Sequence, residues 1–98
     1  MPKSSSAIRC LRVLKVLKGQ TLSGLANGDI AKALGESPVN ITRALAALEG
    51  EGLVTKLETG RWAHSTSMLQ IAQAHANAMT QAQDRIHELN RRIAAGAL

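Results

Sequence analysis

The side chains able to do covalent or metal chemistry in this sequence are few: Cys10, His64, His75, His87 and the carboxylate pair Glu49 and Glu51. Metal ligands recur at short, defined spacings, whereas this cysteine and these histidines fall in separate segments, so no metal and no cofactor are expected. Glu49 and Glu51 flank Gly50 where a helix should end, and chain termination explains them better than paired acid and base work. No glycine-rich loop follows a strand to cradle a phosphate. The sequence therefore predicts a binding protein and no enzyme. What remains is non-covalent chemistry, carried by basic and amide side chains on elements that must hold them at a surface.

Those elements have to come from one small core. The chain has 98 residues, 45% of them hydrophobic, with Trp62 as the single aromatic, so the core is built from Leu, Ile, Val and Ala. That composition favours helices and suffices for one domain with an appendage. No apolar run approaches the roughly 20 residues a bilayer span needs, and the first residues lack the apolar stretch of a secretory leader, so a cytoplasmic protein without a membrane partner is expected. The lone Cys10 is expected to fill core space. The formal charge is +5, and residues 1–18 hold five bases and no acid, whereas residues 19–65 hold four bases against five acids. A basic excess gathered at one end suits a polyanionic partner.

Ser4 to Ser6 offer capping oxygens ahead of Ala7, Cys10, Leu11, Leu14 and Leu17, an apolar set at helical spacing. Glycines at 19, 24 and 28 make residues 19–28 a loop. Asn27 or Asp29 is then placed to cap a short second helix, with Ile30, Ala31 and Leu34 inward and Gly35 as its left-handed C-cap. Ser37-Pro38 is the strongest local signal, a capping hydroxyl followed by proline at the first helical position, where the missing N–H costs nothing. In the helix that follows, Ile41, Leu45 and Leu48 form one buried stripe, while Val39, Asn40, Thr42, Arg43 and Ala46 lie away from it. After Glu49-Gly50-Glu51-Gly52, residues 53–57 and 61–64 flank Glu58-Thr59-Gly60 as a short hairpin. On a two-residue period the Trp62 ring should face the core or the long helix beyond.

Ala31, Gly35 and Ile41 stand at the spacing of the small residue, turn glycine and buried aliphatic of helix-turn-helix proteins. The continuation "ITRALAALEGEGLV" and its hairpin resemble the winged helix-turn-helix of the isocitrate lyase regulator (IclR) family, and are also similar to the multiple antibiotic resistance regulator (MarR) group. The resemblance covers roughly residues 5–65. Glu36 departs from it, standing where many such turns carry an apolar residue, and the large effector-binding domain of IclR-type regulators is missing, so no small-molecule effector is expected.

The resemblance implies a mainly α fold, a winged helix-turn-helix of three helices and a two-stranded wing over residues 1–65, reading double-stranded DNA. Val39, Asn40, Thr42 and Arg43 become base-reading candidates, since Asn can pair bidentately with adenine, Arg with guanine, and Val39 can touch a thymine methyl. For Arg43, a phosphate contact or an ion pair to Glu49 or Glu51 stays open beside base readout. Lys56, Thr59, Gly60 and Arg61 would set the wing on the DNA backbone or in the minor groove. Ser37 and the helix end behind it could hold a phosphate.

Residues 66–98 form the appendage. From Ser65 or Thr66 the chain runs without Gly or Pro to Gly96. Met68, Ala72, His75, Met79, Ala82, Ile86, Leu89 and Ile93 alternate intervals of four and three, the seam of a coiled coil. A helix of this length extends about 40 Å, beyond any surface one small domain offers, so it is expected to pair two copies into a homodimer. Arg85 and Arg92 face Gln83 and Asn90, which leaves parallel and antiparallel pairing open, and His75 is expected neutral and buried in the seam. The competing function, from a different class, is a protein interaction module on the same scaffold, an adaptor or antagonist of another regulator. A reader of DNA should expose Asn40, Thr42 and Arg43 on a positive face, a protein binder an apolar or acidic one.

Overall fold

The computed structural model describes residues 5–96, in the order α1 (Ser6–Val16), α2 (Asn27–Leu34), α3 (Pro38–Gly50), β1 (Val54–Lys56), β2 (Trp62–His64) and α4 (Thr66–Ala94). The chain divides into two units, one through Met68 and one from Leu69 onward.

In the first unit, three helices enclose a core of Val13, Leu17, Ile30, Ala31, Ile41, Ala44, Leu45, Leu48 and Val54, all nearly inaccessible to water. The inward stripes of α2 and α3 are those expected, with Ala44 added. On α1 the inward face is rotated from the expected one: Val13 is fully buried, while Leu11 is 59% exposed and Ala7 lies at the surface. Both leucine and valine fit the helical pattern, and the sequence did not distinguish which edge of a broad apolar face would meet α3.

The helix ends follow capping chemistry. Ser5 accepts from the Ile8 N–H, and Ser37 accepts from the Asn40 N–H at 3.2 Å with Pro38 opening α3. The second helix differs from expectation. Its N-cap is Ala26, which has no side-chain acceptor, and Asn27 is already its first helical residue. The amide of Asn27 is directed elsewhere, as described below, and Asp29 lies in the first turn, where an acid meets the positive end of the helix dipole. Gly35 takes the left-handed conformation (φ 65°) that ends α2 and lets the backbone reverse into α3. Ser65 opens α4 by accepting from the Met68 N–H at 3.1 Å.

The wing is an antiparallel pair in the register Val54 to His64, Thr55 to Ala63 and Lys56 to Trp62. Residues 19–28, expected as plain loop, contribute a further rung: Leu25 and Trp62 exchange both backbone hydrogen bonds at 2.8 Å. That close approach needs Gly24, where a Cβ would stand 2.8 Å from the Trp62 carbonyl oxygen and where φ is +67°. A single residue pair carries no alternating pattern, so nothing in the local sequence marks Leu25 as strand.

In the second unit α4 continues as one unbroken helix, 29 residues in all, with none of them buried. Ile71, Met79, Ile86, Leu89 and Ile93 are each about half exposed or more, at 49–68%. Among the described residues, no helix is long and apolar enough to cross a membrane.

Candidate nucleic-acid interface

The outer face of α3 begins with Val39, which is 59% exposed despite being apolar. Arg43 follows it one turn later, exposed and, among the described residues, without a hydrogen bond or ion pair. Neither Glu49 nor Glu51 pairs with it. Arg43 also lines a cavity of about 280 Å³ between α3 and α1, whose other walls include Ser6, Arg9 and Cys10. The Cys10 thiol, half-buried, points at the Ala44 carbonyl at 3.9 Å, in keeping with its expected filling role.

Asn40 and Thr42 are more committed. The Asn40 amide donates to Glu36 at 3.4 Å. An amide has two N–H donors and a carbonyl oxygen, so one N–H and the oxygen are left to a ligand. The Thr42 hydroxyl donates to the Pro38 carbonyl at 2.9 Å and accepts from the Asn27 amide at 2.9 Å. Its only proton is taken, so Thr42 offers a ligand one lone pair and its methyl group. Asn27, a cap candidate by sequence, instead ties the first turn of α2 to α3. The signal available in the sequence was that the turn places α2 and α3 side by side, so a polar residue opening one must find a partner on the other.

Glu36, the departure noted in the turn, is matched from α1: its carboxylate lies 3.3 Å from the Arg9 guanidinium, with both side chains largely buried at 17% and 13% exposure. The turn thus carries a paired charge in place of an apolar plug. A charge pair whose members lie 27 positions apart cannot be read from either neighbourhood alone.

In the wing, Lys56 projects its ammonium over the Trp62 ring at 5.8 Å from the centroid, a cation–π contact that leaves the charge at the surface. Trp62 itself packs half-buried against the core, as its period implied. Arg61 is placed differently from the free basic residue expected at a wing tip. Its Nε donates to the Ser23 and Gly24 carbonyls at 3.0 and 3.2 Å, and a terminal nitrogen donates to Gly24 at 3.1 Å and lies 4.0 Å from Asp29. The guanidinium therefore clamps the wing to the loop before α2. Thr59, at the tip with Gly60, accepts from the Arg61 N–H at 3.4 Å. On the other strand end, the His64 ring Nε2 donates to the Leu14 carbonyl at 2.7 Å and fastens the wing to α1. Among the described residues, no group of three potential metal ligands converges.

Similarity to known proteins agrees with this geometry. The sequence model of the MarR family matches residues 3–59. Two solved structures share the fold: a mutant of S. aureus MepR bound to an oligodeoxyribonucleotide, and a mutant of Lactococcus lactis ZitR. MepR is 20% identical with a TM-score of 0.56, the match covering 90% of this chain and 72% of that one. ZitR is 22% identical with a TM-score of 0.53, the match covering 94% of this chain and 66% of that one. No curated protein matches by sequence. Of the two resemblances drawn from the sequence, these matches support the MarR side and lend nothing to the IclR type. A helix-turn-helix closed by a paired charge, a clamped wing and a family match over more than half of its length together place this chain in the MarR family.

Proposed function

We propose that the chain is a sequence-specific regulator of transcription that binds double-stranded DNA as a homodimer, with α3 in the major groove and the wing on the backbone or in the minor groove. The observation that carries this is the outer face of α3, where Val39, Asn40 and Arg43, the last without a partner among the described residues, stand together at the amino end of a helix. A major groove admits one helix and presents donor and acceptor patterns to side chains near that helix's start. The oligonucleotide on MepR supports the same use of the shared fold. In this reading residues 1–65 bind DNA and residues 66–98 join copies. Within the first, Val39, Asn40 and Arg43 read bases, Thr42 adds a methyl contact, and Ser37, Lys56, Thr59 and Gly60 line the sugar-phosphate backbone.

The test is selection of bound fragments from a genomic library, followed by titration of Arg43→Ala on the selected and on random duplex. An inverted repeat should emerge, and Arg43→Ala should cost about 1–3 kcal/mol on that site and much less on random DNA. Equal losses on both would make Arg43 a phosphate clamp. Failure to select any duplex would leave the protein interaction module as the better account.

A further inference from the structure

The outward faces of α4 contain more than an apolar stripe. Along the seam the side chains alternate in size in an order with a mirror relation about the helix middle, between Thr80 and Gln81. Reflected about that point, Ala72 falls on Leu89, His75 on Ile86, Met79 on Ala82, and Met68 on Ile93. Every small residue meets a large one. We propose that a second copy of this chain packs on α4 antiparallel and in full overlap, so that these are the pairs that touch across the seam. This rests on the homodimer reading above and assigns it a direction and a register.

Three arguments select this arrangement over a parallel one. Parallel pairing sets each seam residue against itself, giving Ala72 and Ala82 layers far thinner than the Met79, Ile86 and Leu89 layers between and beyond them. One pair of straight helices cannot stand close at the alanines and apart at the larger side chains without leaving voids. The antiparallel pairing sets each alanine against a large side chain, Ala72 on Leu89 and Ala82 on Met79, so no layer is alanine on alanine and the helix separation varies less along the seam.

Charge adds the second argument. From Trp62 to Gln83 the chain has no Asp, Glu, Lys or Arg, whereas Asp84, Arg85, Glu88, Arg91 and Arg92 crowd the last turns. Glu88 is already bound within its own helix by Arg91 and by Arg92, so it has little to offer a partner's base. Parallel pairing would bring two like-charged ends, each with three arginines against two acids, to within about one Debye length, roughly 8 Å at physiological salt. Antiparallel pairing lays each charged end along the other copy's uncharged half. The stems of Arg85 and Arg92 then cover the flanking Ala78 and Ile71 of the other copy while their guanidinium groups reach water.

The third argument is register. Sliding the antiparallel pair by one heptad either sets Ala72 against Ala82 or leaves Ala72 facing the region of Gly96, and only full overlap covers all eight seam positions. Full overlap also has a functional corollary. The two Thr66 ends, where each chain enters α4, lie on the order of 40 Å apart along the pair. The major groove returns to one face of B-form DNA about every 34–36 Å, a comparable distance.

Single-cysteine variants test this directly. In a Cys10→Ser background, Ala72→Cys and Leu89→Cys are prepared separately and together by mixing, then oxidised, with light scattering of the unoxidised samples alongside. A disulfide needs Cα atoms within about 4.4–6.8 Å. Residue 72 of one copy would lie about 25 Å from residue 72 of the other in the proposed pair, so neither variant alone should cross-link and the mixture should give covalent dimer. Cross-linking of each variant with itself would establish parallel pairing and overturn the proposal. A dimer in which neither the variants nor the mixture cross-link would overturn the register while leaving the homodimer standing. A monomer by light scattering would overturn the homodimer and the pairing with it.

Discussion

At the scale of single residues, the arginines and the lysine of the interface differ in what they are free to do. Arg61 has three hydrogen bonds to loop carbonyls, Lys56 has only a ring face beneath it, and Arg43 has no partner among the described residues. Their replacements should therefore differ in kind. Lys56→Ala should weaken binding to specific and random duplex alike and lower the slope of log affinity against log salt by about one, as for a phosphate contact. Arg61→Ala should do more, because loss of the clamp frees the wing from the Ser23–Gly24 loop. A lowered melting midpoint in the absence of DNA, which Lys56→Ala should not produce, would separate the two. Equal melting midpoints for the two variants would return Arg61 to the role of a simple phosphate contact. Gly24→Ala should resemble Arg61→Ala in the melt: the left-handed backbone alone costs about 1–2 kcal/mol, and the added methyl would collide with the Trp62 carbonyl.

At the scale of elements, the three helices of the winged unit are held by α3, which meets both others and the wing through Ile41, Ala44, Leu45 and Leu48. Leu45→Ala should cost about 2–5 kcal/mol, readable in denaturant melts, and should lower DNA binding only as far as it lowers the folded fraction. Elements of this kind were legible in the sequence because their signals are local: Ser37-Pro38 marks a helix start, Gly35 a left-handed stop, and the stripes of α2 and α3 an inward face. What escaped were relations between elements. Asn27 reads as a cap until α3 supplies Thr42, and Arg61 reads as a free cation until a loop 37 positions away supplies a carbonyl. Leu25 joins the sheet through one backbone pair, with too few residues for a period to show. For the candidate site the division is the same: the face of α3 followed from periodicity, but which of its side chains were already engaged followed from the fold alone.

At the scale of the whole molecule, the proposed seam of α4 and the proposed reading face of α3 make linked demands. Ile86→Asp would set an unpaired charge into the apolar seam and should turn a dimer into a monomer at tens of micromolar by light scattering. The same variant should lose affinity for a two-half-site operator far more than for a single half-site, because tethering supplies an effective concentration that a monomer lacks. Inserting about five base pairs between half-sites turns the second one to the opposite face of the duplex and should lower the affinity of the unmodified protein in a mobility-shift titration. An Ile86→Asp protein that stays dimeric would place self-association elsewhere than on this seam.

Trp62 gives the molecule a property that has nothing to do with its stability. With no tyrosine or phenylalanine in the chain, all of its near-ultraviolet absorption and intrinsic fluorescence arise from one indole, and that indole sits on the wing between the Lys56 ammonium and the Leu25 rung. Emission from the unlabelled protein is therefore a reporter of the wing and of the core surface it packs on. A shift in wavelength or quenching on adding DNA records a change at the hairpin or at that surface, and a stopped-flow trace of that emission would time the wing's engagement separately from binding measured by a labelled duplex.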